Sequence, residues 1–257
     1  MKKISIITAS FNSANTILET IESVNKQTYK NIEHIIIDGA SKDKTLNIIK
    51  TKGKRITKII SEKDAGIYDA YNKGLSLAAG EIIGFLNSDD FYQNPHIIEM
   101  VMRIFENQSI DACYGDLVYV KRENIRKITR DWKSSQYKSG MLGNAFHPPH
   151  PTLFLRKSVY DKKGKFDLEY QIAGDVEFMI RIFNDSKLKS KYIPATLVTM
   201  RDGGTTGGSL KTIIMQNREV IKALKKHKIK YSAVKFFTSK IINRATQKLR
   251  IIPFYFF

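Results

Sequence analysis

Residues Ile82 to Tyr92 read IIGFLNSDDFY. Four apolar positions, Ile82, Ile83, Phe85 and Leu86, run directly into Asn87, Ser88, Asp89 and Asp90. The run is too short and too evenly apolar for a helix with one wet face, so it reads as a buried strand of a parallel sheet. Open α/β sheets bind ligands outside the carboxyl ends of their strands, which is where this acid pair falls. Adjacent hard oxygen donors suit Mg2+ or Mn2+ and, through the metal, a diphosphate. The competing reading is that Asp89 or Asp90 caps the helix that follows near Pro95.

Working back from that strand, the chain alternates. Lys3 to Ala9 predicts a strand, Asn15 to Asn25 a helix, Ile32 to Ile37 a strand, Asp43 to Lys52 a helix closed by Gly53, Ile56 to Ile60 a strand, and Ile67 to Ala79 a helix. Strand and helix in strict alternation imply a parallel sheet covered on both faces. Each strand exit carries polar groups: Thr8 and Ser10 after the first, with the turn Ser10, Phe11, Asn12, Ser13, then Asp38 after the second and Asp64 after the third. Any one of them is more often a turn or cap residue. Four such exits in one sheet favour a ligand site. No GxGxxG follows the first strand and no GxxxxGK[ST] occurs, which argues against dinucleotide and P-loop phosphate cradles.

The 257 residues allow one large domain or one and a half, and 42% hydrophobic with 26% charged residues is ordinary for a soluble globular protein. A single cysteine, Cys113, excludes an internal disulfide and fits a reducing compartment. The opening MKKISIITASF reads as a first strand rather than a signal peptide, and no stretch approaches the roughly 20 apolar residues of a membrane span. The net charge of +18 is concentrated at the end: Lys211 to Phe257 holds 12 Lys and Arg against one acid, Glu219. Such asymmetry predicts an anionic partner surface, a membrane or a nucleic acid.

Two stretches, ISIITASFNSANTILETIESVNKQTYKNIEHIIIDGASKDKT and SEKDAGIYDAYNKGLSLAAGEIIGFLNSDDFY, resemble inverting family 2 glycosyltransferases with the GT-A fold, of the bacterial polysaccharide-assembling type. The resemblance covers roughly residues 3 to 205, and GIYDAxNKG followed by GFLNSDD is its most specific part. It implies a nucleotide-sugar-binding half over residues 1–110 and an acceptor and catalytic-base half over 111–209, and the charge pattern adds a basic amphipathic helical tail over 210–257. It also implies a nucleotide diphosphate sugar as donor, usually a UDP-sugar. Asp38 and Asp64 would contact the base, Thr8 and Ser10 would line that pocket, and Lys73 would lie near the phosphates or hold Asp64 and Asp69. The commoner Asp-x-Asp form is here Asn87, Ser88, Asp89, so Asp89 becomes the main metal ligand with Asp90 beside it. Asn87 retains a hydrogen-bonding role.

In the second half, Pro95 to Glu106 predicts a helix, Asp111 to Val120 a strand interrupted at Gly115, and Lys121 to Lys133 an exposed strand or hairpin. By resemblance Asp116 contacts the donor sugar. Trp132 either stacks on a sugar ring or packs in the core. The proline-rich stretch from Gly143 to Pro151 resembles an acceptor-side loop, with His150 as acceptor candidate and His147 as a weaker one. GKFDLEYQIAGDVEFMIRIF is the second specific match. Asp175 there stands at a helix start, suited to capping, and by resemblance it is the catalytic base in preference to Glu177. Inverting transfer is one displacement and requires a single base, because a metal-bound diphosphate is already a stabilised leaving group. After strands at Tyr192 to Pro194 and Thr196 to Met200, Arg201 to Ser209 reads as a Gly-rich gating loop, with Arg201 as a phosphate partner.

In the tail, Leu210, Ile213, Ile214, Val220, Ile221 and Leu224, then Val234, Phe237, Ile241, Ile242, Ala245, Leu249 and Ile252, recur at helical spacing beside lysines and arginines, and Pro253 to Phe257 is almost wholly aromatic. That pattern reads as an interfacial anchor on anionic lipid, against the plainer alternative of core-packing helices with a solvated basic face. The sequence therefore points to a cytoplasmic protein peripheral to the inner face of the cell membrane. Its expected reaction is transfer of a sugar, with Mg2+ or Mn2+, to a glycan or polyprenyl-linked acceptor in cell-surface polysaccharide synthesis, with no nucleic acid partner. Rival readings are a sugar nucleotidyltransferase, a basic nucleic-acid-binding protein and a catalytically silent glycan binder.

Overall fold

The structure is a computed structural model that describes residues 1–203 and 209–251. Its first half alternates β1 (Ile4–Ser10), α1 (Ile17–Asn25), β2 (Ile32–Asp38), α2 (Thr45–Lys52), β3 (Ile56–Ser61), α3 (Ile67–Leu77) and β4 (Ile82–Phe85). All seven residues of β2 are buried, as expected of a parallel strand covered on both faces. In α1 the buried Ile17, Thr20, Ile21 and Val24 repeat at the helical period. β3, β2, β1 and β4 are parallel neighbours in that order. In register, Ser10 lies opposite Asp38, and Asp38 opposite Ser61, so three strands end at one level.

The second half runs β5 (Phe91–Tyr92), α4 (Ile97–Ile104), β6 (Ala112–Lys121), β7 (Asn124–Trp132), β8 (Phe154–Arg156), α5 (Lys157–Lys163), α6 (Gly174–Phe183) and β9 (Ser190–Arg201). β8 is antiparallel to both β4 and β6 and so joins the halves into one sheet. Neither β8 nor α5 was expected; three residues are too few to display an alternating pattern. Lys121 to Lys133 is indeed a hairpin arm, β7 turning back on β6. β9 is one strand where two were expected around Pro194. It passes through the proline because the β6–β9 register shifts there, between Tyr114 and Asp116, and proline is tolerated at such irregularities.

Two helices follow, α7 (Leu210–Lys226) and α8 (Ala233–Leu249). Val220, Ala223 and Leu224 of α7 and Phe236 of α8 are buried in the same core as Val176, Phe178, Ile180 and Phe183 of α6. Leu210, Ile213, Ile214, Val234, Ile241, Ile242 and Leu249 are exposed. Among the described residues no helix is long and apolar enough to cross a membrane. The glycines expected to form the gating loop, Gly204, Gly207 and Gly208, and the aromatic end, Pro253 to Phe257, lie outside the described residues.

Candidate active site

The site is built around α3. Two phenols one turn apart on this helix, Tyr68 and Tyr71, have ring centroids 6.2 Å apart, as i and i+3 residues on one face should. Tyr71 donates its hydroxyl hydrogen bond to Asn87 Oδ1 at the exit of β4. Tyr68 donates to Asp175 Oδ1 at 3.0 Å and to the Ile172 carbonyl at 2.8 Å. Residues more than a hundred positions apart are thus tied to one helix face. Burial pushes both phenols well above their ordinary pKa, and Asp175 adds to the rise in each; Asp90 and Asp89 also act on Tyr71. Gly174 permits the approach, since a side chain there would meet the Tyr68 ring at 2.8 Å.

Asn87 donates through Nδ2 to Asp90 Oδ2 at 3.1 Å. Asp90 is completely buried, and its Oδ1 has no hydrogen-bond partner. Burial, then the neighbouring Asp89 charge, pushes the Asp90 carboxyl well above the usual carboxylate range. Asp89 is more accessible. Its Oδ2 accepts from Arg122 Nη2 at 2.9 Å and its backbone carbonyl from Arg201 Nη1 at 2.5 Å. Arg201 also pairs with Glu19, so its guanidinium braces the acid loop. The Ser88 hydroxyl lies 2.8 Å from that of Ser13.

Asp38 is buried and receives four hydrogen bonds: Ser10 Oγ at 3.1 Å, Ser41 Oγ at 2.5 Å, Ser41 N at 2.9 Å and Ser61 Oγ at 2.8 Å. Beside it, a side chain on Gly39 would fall 2.8 Å from Asp64 Oδ2 and 3.3 Å from the Phe11 ring. Phe11, Gly39 and Asp64 therefore converge, and Phe11 presents a ring that is 63% exposed. Asp64 Oδ1 accepts from Gly66 N at 3.0 Å. Lys73 pairs with Glu62 at 2.8 Å and Asp69 at 3.4 Å and donates to the Lys63 carbonyl, which makes it a brace of the loop carrying Asp64.

Asp175 is not the cap of α6. The capping position is Ala173, which leaves Asp175 in the first turn. The backbone N–H groups of Gln171, Ile172 and Ala173 instead donate to the Glu219 carboxylate of α7, at 3.0, 2.9 and 2.7 Å. Glu177 is buried and engaged by Arg181 and His227 at 2.9 and 2.6 Å. Of the two acids on α6, Asp175 is the less buried, with Tyr68 on its Oδ1.

The remaining expected site residues have the following partners. Thr8 is buried with its hydroxyl 3.0 Å from His34 Nε2. Asp116 is buried, with Oδ1 accepting from Ser134 N and Tyr192 OH at 2.8 Å each and Oδ2 lying 3.3 Å from Lys133 Nζ. Its carboxylate ties β6 to the following loop and to β9. His150 is buried and packs on Phe85 and Tyr71, its pKa lowered by burial. Trp132 meets His147 edge to face at 5.4 Å.

The profile described as "Glycosyl transferase family 2" matches residues 5–162, more than half of the chain. The chain belongs to that family. A "PGL/p-HBAD biosynthesis glycosyltransferase" of Mycobacterium bovis (strain BCG / Pasteur 1173P2) is 28% identical over 225 residues, which is 86% of this chain and 83% of the relative. An "uncharacterized glycosyltransferase" of Mycobacterium tuberculosis (strain ATCC 25618 / H37Rv) is 30% identical over 179 residues, 69% of this chain and 68% of the relative. Among solved structures, S. aureus TarS 1-349 in complex with UDP-GlcNAc superposes with a TM-score of 0.65 at 17% identity, covering 86% of this chain and 66% of that one. The mannosyltransferase PcManGT from Pyrobaculum calidifontis, in complex with GDP-Man and Mn2+, gives 0.65 at 16% identity over 98% of this chain and 70% of that one. The chain spans 39% of the longer TarS chain. These likenesses show the GT-A fold for this family 2 glycosyltransferase.

Does the acid pair of this glycosyltransferase suit a divalent cation? Among the described residues no three His, Cys, Asp or Glu are grouped to enclose one. A partly accessible Asp89 carboxylate above a buried Asp90 oxygen without a partner does suit an ion that completes its shell with substrate phosphate and water, as Mg2+ commonly does. Residues not singled out from the sequence also shape the site: Phe11, Tyr68, Tyr71, Arg122 and Glu219. The aromatic pair lies within GIYDAYNKG, and its i, i+3 spacing was the available signal. Glu219 stood out only as the single acid of a basic tail.

Proposed function

We propose that this glycosyltransferase transfers a sugar from a nucleotide diphosphate sugar, most simply a UDP-sugar, to a lipid-linked glycan acceptor with inversion at the anomeric carbon. The observation that carries the reading is the α3 face, whose Tyr68 and Tyr71 bind Asp175 and Asn87 respectively. That pairing supports a carboxylate acting as base across from the acid pair at the sheet's ligand-binding edge. Phe11, Gly39 and Asp64 form the base end of the donor cleft, where the exposed ring gives a stacking surface.

The chemistry then needs one step. Asp175 takes the proton of the acceptor hydroxyl while that oxygen bonds to the anomeric carbon. The bond from carbon to the diphosphate oxygen breaks on the opposite face, and the electron pair leaves with the diphosphate. Tyr68 fixes the Asp175 carboxylate so that its other oxygen can meet the hydroxyl. Asp89 and Asp90 would hold Mg2+ or Mn2+, which neutralises the charge developing on the leaving group. Arg122 and Arg201 keep Asp89 in place from either side. The exposed apolar and basic faces of α7 and α8 support attachment at an anionic lipid surface.

Calorimetric titration with UDP, GDP and CDP, each with and without Mn2+, tests the donor site on the intact protein and on Asp89→Ala. Metal-dependent binding of one nucleotide, lost in Asp89→Ala, is the expected outcome. Binding that ignores both metal and Asp89 would overturn the assignment.

A further inference from the structure

β7, α8 and Asp202 line an open cavity of about 590 Å3. Four cations line it, Lys127, Arg130, Arg244 and Lys248, against one acid, Asp202. Among the described residues none of the four forms an ion pair. Arg130 is only 8% exposed, and its Nε has no hydrogen-bond partner. Its guanidinium rests 3.6 Å above the Tyr119 ring, a contact that supports a cation but does not neutralise it. Like charges gathered in a half-enclosed space repel and are costly to desolvate unless an anion joins them. Burial lowers the Arg130 pKa, Tyr119 and Asp202 oppose the shift, and the Arg244 charge adds to it.

Two runs of contacts lead from the cavity toward the proposed reaction centre. An adjoining recess of about 390 Å3 shares Thr129 and Asp202 and reaches Arg122, the partner of Asp89. Along the inner wall, Arg130 leads to Trp132 and then His147, and the His147 ring feels both Arg130 and Asp175. On its outer side stand apolar groups. Ile251 lines the cavity, and Ile241, Ile242 and Leu249 of the same helical segment are exposed. Cations inside and aliphatic side chains outside match an amphiphile with an anionic head. A nucleic acid would have no use for the exposed aliphatic side chains of α8.

We propose that this cavity binds the phosphate or diphosphate headgroup of a lipid-linked acceptor, whose glycan extends toward Asp175 and whose hydrocarbon begins along α8. The direction of the glycan rests on the transferase reading, whereas the headgroup site is tested by binding alone. Geranyl diphosphate is titrated calorimetrically, in metal-free buffer, into the intact protein, into Asp89→Ala and into the double variant Arg244→Ala/Lys248→Ala. Both changes in the double variant lie on one helix outside the acid site, and its melting temperature serves as the folding control. Geranyl diphosphate should bind the intact protein and Asp89→Ala equally, and the double variant at least tenfold more weakly. Inorganic pyrophosphate should bind the intact protein at least tenfold more weakly than the prenyl compound. Absence of binding, or equal binding by a folded double variant, would overturn the site. Loss in Asp89→Ala would assign the ligand to the donor cleft instead. Pyrophosphate binding as tightly as the prenyl compound, or tighter, salt-sensitive binding of a single-stranded oligonucleotide to the same residues, would refute a lipid-linked ligand. A failure of the transferase reading would show separately, as absent nucleotide binding.

Discussion

Glu219→Ala should damage the enzyme at a distance from its own backbone, and the structure lets the size be worked out. The carboxylate accepts hydrogen bonds from three successive N–H groups, those of Gln171, Ile172 and Ala173. Gln171 is exposed and can turn to water, but Ala173 is fully buried. Leaving that N–H without an acceptor costs about 2 kcal/mol, and losing a negative charge at the start of α6 costs about 0.5 kcal/mol more. A destabilisation of this size lowers the melting temperature of a chain this long by roughly 5–10 °C. The functional effect should exceed the thermal one. Ala173 and Ile172 precede Asp175, and Tyr68 holds both Asp175 and the Ile172 carbonyl. Once the segment is released, both Tyr68 contacts slacken. An ångström of displacement at a base can cost about a hundredfold. The assays are thermal melting, calorimetric nucleotide affinity, and UDP release under saturating donor at a temperature where the variant is fully folded. The expected pattern is a lowered melting temperature, unchanged UDP affinity and a fall in kcat of about tenfold or more. Glu219→Gln, which keeps one acceptor oxygen, should fall between. A variant that melts lower but keeps full kcat would refute the positioning argument and leave only a structural cap.

Asp175→Asn should lower kcat by roughly 100-fold or more, with nucleotide binding unchanged by calorimetry; retention of activity would remove Asp175 as the base. Phe11→Ala should weaken UDP binding about tenfold, within the roughly 1–3 kcal/mol that stacking of a base on an aromatic ring contributes, and no change in affinity would place the base elsewhere. His34 is buried beside Thr8 and its pKa is lowered by burial to about 3. Between the unfolded value near 6.5 and that folded value the unfolded chain binds the extra proton, so stability is complete above 6.5 and falls as pH drops through the window. Urea unfolding between pH 7 and 4 should show this slope, at most about 1.4 kcal/mol per pH unit from this residue, and His34→Gln should flatten it.

The parallel half of the sheet and its acids were legible because periodicity carries them. Each strand is an apolar run, and the polar residues after it fall at the ligand edge whatever the details of packing. The roles of those polar residues were less legible. Ser10 and Asp38 look alike in sequence as strand-end groups, yet one donates to the other in register. Thr8 stands two residues earlier, and its hydroxyl meets a buried histidine. Asp116 follows the same rule of an acid on a strand, but the strand is β6 and Tyr192 reaches it from β9. Tyr68 and Tyr71 were hidden for a different reason. A pair of aromatics at helical spacing normally announces a core face, and both rings are indeed buried in it. Their hydroxyls act on residues 107 and 16 positions away, distances over which a local pattern carries no information.

The two arginines on Asp89 show how the same charge can do opposite work according to burial. Arg201 is 2% exposed, is paired with Glu19, and touches only the backbone carbonyl of Asp89. It can remain in place whatever binds the carboxylate, and its effect is to fix the loop. Arg122 sits at the turn of the β6–β7 hairpin with 41% of its side chain exposed, and it occupies Asp89 Oδ2 itself. An exposed ion pair of that kind contributes about 0–1 kcal/mol. A divalent cation arriving with a diphosphate can therefore displace it at little cost. The Arg122 side chain also lines the recess shared with Thr129 and Asp202. Arg201, buried and paired with Glu19, has no such freedom.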